Sequence, residues 1–284
     1  MFAKLLAFSL ALGSVAASNA PELDGFTIQW QDTFDGPSGG DVNATNWNVI
    51  QSANNANGEL ETYTDALGWN YQLSGGTTLQ IIPQLDNGQW TSARLESKYV
   101  FTPADAHQTI IAAGIRFGGN PQSEKQGLWP AFWMLGNSIR TGGAQWPACG
   151  EIDILEMVDG KLTGFGTVHC DVSPGGICNE SNGIGGSTSI ADYNWHTWQI
   201  TIDRTPTSWV DQTISWAMDG TQYFQINGGR INDETVWESL AQNAMYIILN
   251  VAVGGGFPGS PNSATTPGWG NDMEVAYVAH YQSN

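Results

Sequence analysis

Apolar and polar residues alternate along most of this chain in short runs. The first, within 26–34, contains Phe26-Thr27-Ile28-Gln29-Trp30-Gln31, where every second side chain is apolar, the period of a strand with one face in a core. Further short runs lie at 77–82, 110–117, 131–135, 151–158, 164–169, 197–203, 213–218, 223–226, 245–253 and 273–281. Turn signals such as Asp86-Asn87-Gly88, Asp159-Gly160 and Asp219-Gly220 separate several of them. One short helix is predicted, with Asp233-Glu234 as its start and 235–242 as its body. Many short strands with almost no helix predict an all-β sandwich of two antiparallel sheets.

Composition supports a large core. Hydrophobic residues make up 41% of the 284 and charged residues only 13%, with 13 Trp and 35 Gly. That is not the composition of a disordered chain. Nine Lys and Arg against 27 Asp and Glu give a net charge of −18, a field that repels nucleic acid and anionic membrane. A neutral substrate is compatible with it. Residues 1–17 have the layout of a secretory signal: Lys4, an apolar run from Leu5 to Leu12, then small residues with Val15 and Ala17 at the cleavage positions. The apolar run is too short to span a bilayer. Residues 18–284 are therefore expected to form a single domain of a secreted, extracellular protein, with a monomer as the default state and neither membrane nor nucleic acid as a partner.

An exported chain can hold disulfides. Cys170 and Cys178 flank a turn-rich loop, Asp171 to Ile177, that a disulfide could close, leaving Cys149 as a buried small hydrophobe. Zinc is the competing reading, but the cysteine spacing fits no usual zinc pattern. Asn43-Ala44-Thr45 and Asn179-Glu180-Ser181 are glycosylation sequons. Gly36-Pro37-Ser38-Gly39-Gly40 matches the serine-hydrolase elbow pattern without the strand, turn and helix such an elbow requires.

The chemistry concentrates in Gly150-Glu151-Ile152-Asp153-Ile154-Leu155-Glu156-Met157. In a regular strand Glu151 and Asp153 share a face and Glu156 points away. One extra residue near Leu155 would return Glu156 to the same side, as bulges beside active sites do. A surface stripe of like charges would be the bland explanation, but stacked like charges destabilise a sheet unless something compensates. Four strand steps put the two Glu Cα atoms roughly 13 Å apart, and side chains leaning inward close that to about 5 Å. That separation is what a retaining glycosidase requires of its two carboxyl groups.

This stretch resembles the Glu-x-Asp-x-x-Glu signature of glycoside hydrolase family 16, in the bulged form of its laminarinase-like branch. Further blocks resemble the same branch: Gly127 to Gly136, Trp146-Pro147-Ala148-Cys149-Gly150, Thr91-Ser92-Ala93-Arg94-Leu95, His169-Cys170, and Leu249 to Gly255. Together they run in family order over residues 26–282. The resemblance implies a jelly roll of the concanavalin A-like kind, with substrate across its concave face. It makes Glu151 the nucleophile, Glu156 the acid and base, and Asp153 an assisting residue, with a protonated Asp153 or a contact from Arg94 holding Glu151 ionised.

The same resemblance assigns substrate contacts to Asn57, Glu59, Arg94, Trp133, Trp146 and His169. Glu61 stands where the loop of that branch carries Gln. Trp129 and Trp133 share a strand face, and the residues alone leave both core packing and sugar stacking open for them. His107, His196 and His280 are assigned structural roles. Asp272 is the candidate for a structural calcium site built with backbone carbonyls of the N-terminal region, while the chemistry itself needs no cofactor. The implied activity is endo-hydrolysis of β-1,3 bonds, and of β-1,4 bonds next to β-1,3-linked glucose, in β-glucan. The rivals are a relative acting on galactans, a transglycosylase, and a non-catalytic β-glucan-binding protein; the last would lack one or both acids, and both are present here.

Overall fold

The computed structural model describes residues 19–53 and 56–284. The segment read as a signal, 1–17, lies outside the described residues. In chain order the strands are β1 (Phe26–Asp32), β2 (Trp47–Val49), β3 (Glu61–Tyr63), β4 (Tyr71–Leu73), β5 (Leu79–Ile81), β6 (Gln84–Asp86), β7 (Gln89–Ser92), β8 (Arg94–Phe101) and β9 (Gln108–Phe117). They continue as β10 (Leu128–Gly136), β11 (Glu151–Glu156), β12 (Thr163–His169), β13 (Ile184–Ser189), β14 (His196–Asp203), β15 (Thr213–Met218), β16 (Thr221–Asn227), β17 (Met245–Val253) and β18 (Met273–Ser283).

Two sheets form a jelly-roll sandwich. One has the order β13-β12-β11-β10-β17-β8-β2; the other runs β16-β15-β14-β9-β18-β5-β4, with β1 also on β18. All pairings within both are antiparallel. A small third sheet, β3-β7-β6, carries the segment around Glu61. The main core lies between the large sheets. Phe132 and Met134 of β10 and Ile247, Leu249 and Val251 of β17 meet Ile111, Ile115, Trp198, Ile200 and Trp216 of the facing sheet, all at 1% exposure or less. Alternate residues of β10 and β17 face the other way. Leu135, Tyr246 and Ile248 form a separate buried cluster there with Cys149, so β17 is buried on both faces and reads as an unbroken apolar run.

The predicted helix is α2 (Glu234–Ala241), preceded by a single turn α1 (Gly228–Ile231). Asp233 caps α2 by accepting from Val236 N at 3.0 Å. Several strands were not foreseen: β2, β3, β4, β6, β7, β8 and β13. Most are three or four residues long, too short for a periodic signal. β13 is Ile-Gly-Gly-Ser-Thr-Ser and has almost no apolar alternation. β8 places Ser97 on the buried face, where it accepts from Ile247 N and donates to Tyr99 O.

Candidate active site

The acidic strand β11 is bulged. Against β10 the pairs run Trp133 with Asp153, then Phe132 with Leu155 and Ala131 with Glu156, so Ile154 has no opposite residue. Against β12, Asp153 faces Thr167 and Glu156 faces Phe165, leaving Ile154 and Leu155 across from Gly166 alone. The extra residue reverses the face of everything after it. Ile152, Ile154 and Leu155 enter the main core while Glu151, Asp153 and Glu156 emerge together on the outer face of the sheet.

A bulge frees backbone groups that must find partners. Here the opposite sheet supplies them: Trp216 Nε1 donates to Asp153 O at 2.7 Å, and Tyr223 donates a long bond of 3.5 Å to Ile154 O. Trp216 reaches the strand because Gly166 has no side chain. A Cβ there would lie 2.3 Å from Trp216 Cδ1.

His169, at the end of β12, organises the charges. Its Nε2 lies 3.4 Å from Asp153 Oδ2 and 3.9 Å from Glu151 Oε1, and its Nδ1 lies 2.7 Å from Glu180 Oε2. Carboxylates at both nitrogens require both to carry protons. Burial alone would lower this imidazole, but the hydrogen bond and charge of Asp153, followed by Glu151 and Glu180, outweigh it and push it up to about 10. Glu180 is itself fixed by Cys170 N, which donates to its other oxygen at 2.8 Å, within the loop closed by the Cys170–Cys178 disulfide.

The two outer acids are therefore unlike. Burial, then the charge of Asp153, pushes Glu151 up to about 8, with His169 and Arg94 opposing. Burial also drives Glu156 well above its ordinary value, followed by the charges of Asp153 and Glu151; His169 opposes, and so does Trp129 Nε1, which donates to Glu156 Oε1 at 2.9 Å. Two cations work to ionise Glu151. At Glu156 the hydrogen-bond donor is a neutral indole. Burial raises both carboxyls; what differs is the opposition, a second cation, Arg94, at Glu151 and a neutral indole at Glu156.

Arg94 acts on Glu151 through its field. Its guanidinium contacts Glu96 at 2.7 and 2.9 Å and lies 4.8 Å over the Trp133 ring, and of the two supports expected for Glu151, Asp153 or Arg94, neither bonds it directly, while His169 Nε2 lies 3.9 Å away. Trp133 Nε1 donates to Asn250 Oδ1 at 2.7 Å, and Asn250 Nδ2 donates to Tyr63 Oη at 3.0 Å. Tyr63 is 3.4 Å from Glu59 Oε2, and Asn57 Nδ2 is 3.4 Å from Glu59 Oε1. The structure thus links Asn57, Glu59 and Trp133 through one polar network. Glu61 lies beneath it, buried, accepting from Val253 N at 2.7 Å. Burial, then a hydrogen bond and charge from Glu59, push Glu61 up to about 8. A neutral carboxyl can donate as well as accept, as the amide expected at this position would.

Aromatic rings stand at both ends of the acidic strand. Trp146, 39% exposed, is 6.0 Å from His169 on the Glu151 side. Beyond Glu156, Trp129 and Phe165 each meet the exposed ring of Phe257 edge-on, at 5.6 and 5.4 Å. Sequence reasoning did not single out Phe257, Asn250, Tyr63 or Glu180. Asn250 carried a signal, being the one polar residue in the nine-residue apolar run of β17. His107, His196 and His280 pair with Ser283 O, Asp219 and Tyr99, consistent with structural roles.

Asp272 is buried where β18 begins, while β1 pairs with residues 278–283 at the other end of that strand. The nearby oxygens are already engaged. Lys125 Nζ donates to Gly118 O at 2.7 Å, Asn271 Oδ1 at 2.9 Å and Gly270 O at 3.1 Å. An ammonium therefore holds the oxygens of Gly118, Gly270 and Asn271. Ligand atoms of Glu151, Asp153 and His169 lie within 4.8 Å of one another, so a cation binding there would compete with the proton on His169.

A family model described as the XgeA-like catalytic GH16 domain matches residues 36–234. Beta-glucanase of Rhodothermus marinus is 30% identical over 95% of this chain and 89% of its own length. Glucan endo-1,3-beta-glucosidase A1 of Niallia circulans is 27% identical over 95% of this chain, which spans 40% of that relative's length. Among solved structures, the endo-1,3-beta-glucanase of Streptomyces sioyaensis superimposes with a TM-score of 0.87 at 34% identity, covering 94% of this chain and all of that one.

Proposed function

The chain belongs to glycoside hydrolase family 16, and on that premise we propose that it is a retaining endo-β-glucanase acting on β-1,3-glucan and on mixed-linkage β-glucan. The observation that carries the reading is the bulge that sets Glu151 and Glu156 on one face with Asp153 and His169 between them. In the first step protonated Glu156 gives its proton to the leaving oxygen as Glu151 attacks the anomeric carbon, forming a glycosyl ester. The charge on Glu151 disappears with the ester. Glu156, now a carboxylate, takes a proton from water, and the resulting attack releases the sugar and regenerates Glu151. Asp153 and His169 hold the nucleophile, and Trp133, Trp146 and Phe257 offer rings on which glucose can stack. We further propose that the protein is secreted, works as a monomer, and needs no cofactor for this reaction.

Product analysis on laminarin, lichenan and carboxymethyl cellulose tests the proposal. The wild type should release short oligosaccharides from the first two and nothing from cellulose. Glu151→Gln should be inactive on all three. Glu156→Gln should lose about 10²- to 10⁴-fold in kcat on the polymers, yet keep its glycosylation step with an aryl glycoside whose leaving group needs no proton. Polymers left intact by the wild type would sink the enzyme reading, and an active Glu151→Gln would sink the assignment of the nucleophile.

A further inference from the structure

On the side of the sandwich opposite the acids, one rung of the second sheet carries Gln80, Glu274 and Arg116 on β5, β18 and β9. Their sequence neighbours Leu79, Ile81, Met273, Val275, Ile115 and Phe117 are all in the core, so these three side chains lie on the outer face. Arg116 contacts Glu274 at 2.7 Å through Nε and 2.5 Å through Nη2, and its guanidinium covers the Trp195 ring at 5.0 Å. Gln80 accepts from Gln72 Nε2 at 3.2 Å, and its own amide N–H groups donate to no described residue.

Beside this rung the chain turns through Trp269–Asn271, and Trp269, Asp272 and the rung residues line a depression of about 320 Å³. Trp269 is 46% exposed, and no ring of the described residues stacks on it. Asp272 is only 7% exposed, yet its carboxyl makes no hydrogen bond to any other described residue and accepts only from its own amide. That leaves it free to accept a hydrogen bond from a ligand hydroxyl.

The charges define the ligand. Arg116 is matched by Glu274, and Lys125 is taken up by backbone carbonyls and Asn271 Oδ1, so among the described residues no free cation faces the depression to hold a phosphate or sulfate. What remains is an open indole face, an amide donor and a carboxylate acceptor. That set suits the apolar face and hydroxyl rim of a neutral sugar. We propose that this outer face is a second, non-catalytic saccharide site that holds a neutral β-glucan chain, with Trp269 as the stacking platform and Asp272 and Gln80 bonding its hydroxyls. The proposal rests on the glucanase reading above and extends it: the site would keep the enzyme on a polymer while the cleft on the other side cuts.

The test uses adsorption to insoluble β-1,3-glucan in a Glu151→Gln background, with the cleft saturated by a short β-1,3-gluco-oligosaccharide. Binding that persists should weaken roughly tenfold with Trp269→Ala, the loss expected of one buried aromatic anchor, and also fall with Asp272→Asn. With Glu151 restored, both variants should cut short oligosaccharides at wild-type kcat and KM, which also shows that they fold. Unchanged adsorption in Trp269→Ala, or no adsorption once the cleft is filled, overturns the second site and leaves the catalytic reading intact. A wild type that neither cuts nor binds any glucan overturns both.

Discussion

At the scale of single residues, His169 is the pivot of the site, and Glu180 is what makes it one. Glu180 accepts from both His169 Nδ1 and Cys170 N, so the imidazolium is held from behind while its Nε2 faces Asp153 and Glu151. Glu180→Gln keeps the shape and removes a charge. His169 should then fall below about 10 while Asp153 and Glu151 still hold it up, and Glu151 should lose part of the cationic field that opposes its upward shift. One pKa unit is about 1.4 kcal/mol, so kcat should fall about tenfold with KM little changed. The alkaline limb of the pH–rate profile should move to lower pH. A residue that merely held the loop would lower Tm and leave that limb in place.

At the scale of elements, the common face of Glu151, Asp153 and Glu156 depends on a bulge in a strand and on the sheet that backs it. The bulge in β11 is stabilised from the far side of the core, where Trp216 of β15 donates to Asp153 O. That contact exists only because β12 carries Gly166 opposite the bulge. Gly166→Ala would place a Cβ 2.3 Å from the Trp216 ring, and the overpacking should lower stability by about 1–3 kcal/mol. Displacing Trp216 also strips the bulge of its donor, so kcat should drop with Tm. Retained kcat at lowered Tm would mean that the bulge holds without its indole.

For the whole molecule, buried titratable groups set the pH dependence of stability. Glu61 and Glu151 are raised from 4.5 to about 8 and Asp272 from 3.8 to about 7. Between those values the folded state binds more protons than the unfolded one, so stability falls as pH rises. His169, raised to about 10, contributes stability that is fully present below pH 6.5 and is lost as pH climbs through 10. Two groups oppose this. His280, lowered to about 4, makes stability rise with pH up to 6.5, and Lys125, lowered to about 8, does so from there to 10.5. In the window from pH 6.5 to 8 neither opposes, and Tm should fall across it; Glu61→Gln, which keeps the carboxyl's shape without its titration, should flatten that fall. The all-β class, the long strands other than β8, the acids Glu151, Asp153 and Glu156 and the pairing of Cys170 with Cys178 were legible in the residues. Alternation, turn residues and spacing are local properties that survive in a single chain. The tertiary structure decided that Ile154 is the bulged residue, that Glu180 stands at the second nitrogen of His169, that Asn250 joins Trp133 to Tyr63, and that Lys125 holds the oxygens of Gly118, Gly270 and Asn271. Each of these joins residues distant in sequence across a sheet, a loop or the core, and burial, which only folding creates, is what gives those contacts their strength.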